Sequence, residues 1–134
     1  MRVTLLLCDF AQVANGKLTV VGAGWTFTSP VTTHAVGLIV DVPWDLANVR
    51  MTWLLELRDA DGQAVVQDGV PVQAGGEIEV GRPAGTPPGT PISVCFALPV
   101  HGIVLQPSSR YAWEFSVDGR TQDDWVLRFG TRPG

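Results

Sequence analysis

Tyr111, Trp113, Phe115 and Val117 alternate with Ala112, Glu114, Ser116 and Asp118. A period of two puts one set on each side of a β-strand. Beyond Asp118-Gly119 the alternation resumes at Trp125, Leu127 and Phe129. The segment reads as a hairpin with a heavy aromatic face. Residues opposed on an antiparallel ladder share a face. A two-residue loop at Asp118-Gly119 would set Trp113 opposite Asp124 and turn Trp125 to the wrong side. A three-residue loop with Gly119 at positive φ, or a bulge near Asp123-Asp124, returns Tyr111, Trp113, Trp125 and Leu127 to one face. Leu105-Gln106-Pro107 ahead of Tyr111 predicts a tyrosine corner, in which the hydroxyl reaches backbone a few residues upstream.

The amino end shows a second pattern. Val3 to Ala14 is strand-like, Asn15-Gly16 is a hairpin turn, and Lys17 to Phe27 returns. That turn pairs Val13 with Leu18, Ala11 with Val20, Asp9 with Gly22 and Leu7 with Gly24. The opposite face pairs Phe10 with Val21, Cys8 with Ala23 and Leu6 with Trp25. Both faces are largely apolar, which does not fit an edge hairpin with one wet side. Either the fold covers both faces, or one meets another chain. Gly22 and Gly24 bare the backbone and permit a close neighbour, or simply relieve twist.

Further along, Val36, Leu38, Val40 and Val42 form one strand face. Met51, Trp53, Leu55 and Leu57 form another, and Ile92, Val94, Phe96, Leu98 and Val100 a third. Ser93, Cys95 and Ala97 face outward with small side chains that again admit a neighbour. Pro43 to Asn48 is a loop with room for one helical turn, carrying Trp44 as a lid or an anchor. Gly81 to Pro91 is too long for a hairpin and predicts a crossover between sheets. With no sustained helical period and no repeat, the count is about eight or nine strands at sandwich spacing. The prediction is an all-β, Greek-key, immunoglobulin-like sandwich over residues 1–130, with residues 131–134 as a frayed tail.

Composition narrows the function. A chain of 134 residues fits one domain with its own core. Charged residues are only 16%, which leaves apolar surface for a partner. Nine Lys and Arg stand against 13 Asp and Glu, with no basic run, so no nucleic-acid footprint exists. No run approaches a membrane span, and the short apolar start is broken by Asp9. Without a secretory signal, Cys8 and Cys95 read as buried thiols of a cytoplasmic protein.

No cofactor motif, metal spacing or nucleophile elbow is present. His34 and His101 have no ligand partner at metal spacing. Asp59-x-Asp61-Gly62 opens like a calcium loop but lacks the later ligands. Asp123 and Asp124 are adjacent, and neighbours on a strand point apart. Five tryptophans remain: Trp53 and Trp113 read as core, Trp25 and Trp44 as the candidates for a surface role.

Asp9-Phe10-Ala11-Gln12-Val13, Gly16 to Trp25, and Glu79-Val80-Gly81-Arg82-Pro83 carry a resemblance. Over nearly its whole length the chain resembles a small uncharacterised bacterial family found chiefly in actinobacteria. That resemblance implies one compact domain and no assigned activity. The leading expectation is a non-catalytic interaction module that self-associates or meets another protein through Leu5, Leu7, Gly22, Gly24, Trp25 and Trp44. The alternatives are a binder of glycan or a small apolar ligand through Trp25 or Trp44, and a hydrolase using His101 or Asp123-Asp124.

Overall fold

The computed structural model describes residues 1–134 and is all-β apart from one 3-10 turn, Trp44–Leu46. One sheet has three antiparallel strands, with β5 (Val31–Val42) between β1 (Arg2–Cys8) and β10 (Ile92–Val104). A second sheet has five strands. They run β4 (Phe27–Thr28), β12 (Val126–Thr131), β11 (Arg110–Val117), β6 (Met51–Asp59) and β9 (Gln73–Ile78), with β4 parallel to β12. Two small hairpins complete the chain: β2 (Phe10–Ala14) with β3 (Lys17–Val21), and β7 (Val66–Gln67) with β8 (Val70–Pro71).

The alternation along each strand decides the core. Val36, Leu38, Val40 and Val42 of β5 share one buried cluster with Trp53, Leu55 and Leu57 of β6 and with Trp113 and Phe115 of β11. The two larger sheets therefore enclose a common interior. Its aliphatic side chains each contribute about 1.5–3 kcal/mol by leaving water. Trp53 sits 5.0 Å from Phe96 of the opposite sheet, ring centre to ring centre. Gly81 to Pro91 carries the chain from β9 in one sheet to β10 in the other.

The aromatic hairpin takes the bulged solution. Asp118 (φ 49°) and Gly119 (φ 77°) make a two-residue turn that joins Val117 to Arg120. Thr121, Gln122, Asp123 and Asp124 then stand opposite the single Ser116, because Phe115 N–H already donates to Trp125 O at 3.0 Å. The odd surplus restores the face, so Tyr111 pairs with Phe129 and Trp113 with Leu127. Trp125 is buried beside Phe115. The tyrosine corner forms as well. Gln106 N–H donates to the Tyr111 hydroxyl at 2.9 Å.

Three expectations need correction. Val3 to Ala14 is not one strand and Lys17 to Phe27 is not its unbroken return. A bend at Asp9 separates β1 from β2, and left-handed Gly22 (φ 66°) and Gly24 (φ 97°) end β3 early. The tail does not begin at residue 131. Thr131 belongs to β12, and its buried hydroxyl donates to Gln106 O at 2.6 Å. The apolar amino end is two different things: β1 is an edge strand of the three-stranded sheet, and β2–β3 is a separate flap.

One side chain closes part of a sheet border. The Gln67 amide donates to Val104 O and accepts from Val104 N–H, both at 3.0 Å. It meets the end of β10 as a peptide unit of a neighbouring strand would.

Candidate interaction surface

The flap is built by local rules. Asn15 (φ 52°) and Gly16 (φ 71°) supply the left-handed pair that a tight hairpin needs. The resulting register sets Val13 opposite Leu18, Ala11 opposite Val20 and Phe10 opposite Val21. Below the flap, Asp9 N–H donates to Val21 O, and Gly24 N–H donates to Leu7 O. At Gly22 a side chain would be strained by the left-handed backbone (φ 66°) and would have to push the Asp9 carboxylate aside.

One face of the flap lies on the outer side of the three-stranded sheet. Leu18 and Val20 rest on Gly37, where an added Cβ would approach both at 3.2 Å. The ladder row through Gly37 holds Leu6 on one side and Ala97 on the other. Ala97 thus lies in the row that the chain's own hairpin covers, whereas Ser93 is exposed and donates to Asp41 Oδ1. Strand β5 is buried on both faces from His34 to Leu38 because of the hairpin's cover. The other face of the flap is open. Phe10 is 51% exposed and its ladder partner Val21 56%. The next row on that face is Gln12 opposite Thr19, both exposed and uncharged.

The residues singled out from sequence fall into three environments. Leu7 is buried in the core and Leu5 packs against it, so both serve the interior. Gly22 and Gly24 are exposed at the base of the flap. Trp25 is half-buried, edge-on to His34 at 5.3 Å and to Phe129 at 6.1 Å. Trp44 is half-buried under Arg82, whose guanidinium carbon lies 4.2 Å from the ring centre. Arg82 Nη2–H also donates to Trp44 O at 2.8 Å. Trp44 is a clasped lid, not a free anchor.

The titratable groups are dispersed. His34 is 3% exposed among Trp25, Trp113 and Phe129. Trp113 Nε1–H donates to His34 Nε2 at 3.2 Å. Indole only donates, so Nε2 is bare and the proton sits on Nδ1. Nδ1–H then donates to Thr32 Oγ1 at 3.0 Å, and Thr32 pairs with Thr28 at 3.0 Å. Burial lowers the His34 pKa to about 4. This is a neutral, satisfied histidine tying two sheets together. Burial pushes the Cys8 thiol above its ordinary value, which makes it a poor nucleophile. His101 on β10 and the adjacent Asp123 and Asp124 in the bulge before β12 are all exposed, and neither of the two principal clefts is lined by any of them. No three His, Cys, Asp or Glu side chains come together at metal-binding range. No helix is long and apolar enough to cross a membrane.

Over residues 3–129 the chain matches a family of unknown function, DUF6941, and it belongs to that family. No curated protein and no solved structure matches it.

Proposed function

We propose that this member of the DUF6941 family is a non-catalytic interaction module that pairs with a second copy of itself through the open face of the β2–β3 flap. We read its scaffold as a Greek-key sandwich of immunoglobulin-like type. The strand orders β1-β5-β10 and β12-β11-β6-β9 support that reading, as does the Tyr111 corner. The observation that carries the function is the Phe10–Val21 pair. It stands half in water on a hairpin whose opposite face already covers its own sheet.

A second copy is the occupant that fits best. The flap is a two-stranded sheet with no further strand on either border. An antiparallel border is its own complement under a two-fold axis. The Phe10–Val21 and Gln12–Thr19 rows carry no charge that a copy would have to desolvate, and Lys17, opposite Ala14 at the tip of the same face, can stay in water at the rim. Cys8 and Cys95 stand on β1 and β10, with β5 between them, as free thiols. That arrangement supports a reducing, cytoplasmic setting.

Sedimentation velocity at micromolar concentration tests the reading. The expected result is a dimer that Phe10→Ser with Val21→Thr converts to monomer, with the far-ultraviolet circular dichroism unchanged. A wild-type monomer at every concentration, or a dimer untouched by the double substitution, overturns it.

A further inference from the structure

A second surface lies on the other side of the molecule. The outward face of the five-stranded sheet carries a cleft of about 550 Å³. That volume lies in the range of small-ligand sites. Its floor is Ala112 and Gly130, and its walls include Phe27, Arg110, Arg128 and Asp59. The register explains the grouping. Arg110 pairs with Gly130 and Ala112 with Arg128, so the two arginines are diagonal neighbours on one face. Diagonal positions across an antiparallel pair lie roughly 7–8 Å apart.

Two exposed like charges at that separation repel weakly, and an anion placed between them is attracted by both. Neither guanidinium has an ion-pair partner in the chain. Neither donates a side-chain hydrogen bond, unlike Arg58 and Arg82. Arg58 lies in the same ladder row, beyond Ala112, and is held by Glu56 at 3.0 Å and approached by Glu114 at 4.0 Å. Phe27 is 60% exposed, and its ring leans on Gly130, where a Cβ would meet it at 3.0 Å. Glycine at that position lets the ring stand as a wall with its other face open to the cleft.

The charge count selects the ligand. Asp59 is fixed by accepting from Asp61 and Gln63 N–H, each at 2.9 Å, and it stays in the lining as one negative charge. The lining itself carries two guanidiniums and that one turn-bound carboxylate, while Glu114, the other diagonal neighbour of Arg128 on this face, lies 4.0 Å from Arg58. A polyphosphate would overshoot the lining's positive surplus and meet the chain's overall charge of −4. One carboxylate matches it, and arginine binds carboxylate in a planar, two-pronged fashion. An aromatic body would cover the flat Ala112–Gly130 floor and pack on Phe27.

We propose that the Phe27–Arg110–Arg128 cleft binds an aromatic monocarboxylate, the carboxylate between the two guanidiniums and the ring against Phe27. The same chemistry occurs in free aromatic acids and in a peptide that ends in an aromatic residue. Titration of the isotope-labelled protein with phenylacetate, N-acetylphenylalanine, N-acetylphenylalaninamide and benzylamine tests it by amide chemical shifts. The acids should shift Ala112, Arg128 and Gly130 saturably at millimolar concentration, and the amide and amine should not. Phenylacetate binding alone assigns a free acid; binding of N-acetylphenylalanine alone assigns a peptide end. Arg128→Gln and Arg110→Gln should each weaken binding about tenfold or more, with Arg128→Lys intermediate. Equal shifts from acid and amide, shifts located elsewhere, no saturation, or full binding by both glutamine variants overturns the proposal. Both positions are exposed, so an unchanged spectrum elsewhere verifies that the variants fold.

Discussion

Lowering the pH from 7 to 5 should cost this protein about 2 kcal/mol of stability through His34 alone. In the unfolded chain the imidazole takes a proton below about 6.5. In the folded protein it resists until about 4. Its ring is buried among aromatics, and Nε2 already accepts from Trp113 Nε1–H. A proton on Nε2 would set two donors against each other. Between those two values the unfolded state binds more protons, so stability falls as the pH falls. The loss begins near the unfolded value and reaches about 3 kcal/mol at pH 4, since each pKa unit is worth 1.36 kcal/mol. Urea unfolding at pH 7, 6 and 5 reads this directly, above the range where most carboxylates titrate. His34→Phe should flatten the curve over that interval, although the variant starts less stable because Trp113 and Thr32 lose their partner. His101→Ala serves as the exposed control. If His34→Phe proves too unstable, the imidazole titration of the wild type by NMR is the second readout. A wild-type curve parallel to that of His34→Phe, or a His34 titration near 6.5, refutes the reasoning.

Two further substitutions probe the packing. Tyr111→Phe removes the acceptor for the part-buried Gln106 N–H and should cost about 0.5–1.5 kcal/mol in denaturant unfolding, with faster hydrogen exchange at Gln106. Gly37→Val drives a branched side chain into Leu18 and Val20, which an added Cβ already approaches at 3.2 Å. It should cost about 1–3 kcal/mol and speed exchange in β2 and β3 while β6 and β11 stay protected.

Much of this architecture can be read from residue alternation, because burial of one face fixes a strand's register. The inward faces of β5, β6, β10 and β11 follow from Val36 to Val42, Met51 to Leu57, Ile92 to Val100 and Tyr111 to Val117 without any coordinates. The bulge at Thr121–Asp124 follows from the need to keep Trp125 with Trp113. The split at Asp9 was not visible, since the apolar pattern runs through it and only the backbone shows the bend. The partner for Ala97 on the outer side of β10 was also hidden. It is the chain's own hairpin, and nothing local in Ser93 to Ala97 tells a self-contact from a foreign one. The arginine cleft was missed for a different reason. Arg110, Arg128 and Phe27 are far apart along the chain, and their meeting depends on the exact surplus in the bulge. The unbulged register would have moved Arg128 away from Ala112. The signal that could have found them is the outward parity of Arg110 and Arg128, combined with the register that Trp125 demands.

The carboxamide of Gln67 has an implication for how the molecule behaves when crowded. Border strands invite recruitment by stray chains, and β10 is the longest strand of the molecule, at thirteen residues. At Val104 an incoming strand would first have to evict the amide, surrendering two hydrogen bonds before making its own. The side chain works as a doorstop: it blocks sheet growth at that end without adding a strand, a charge or a proline.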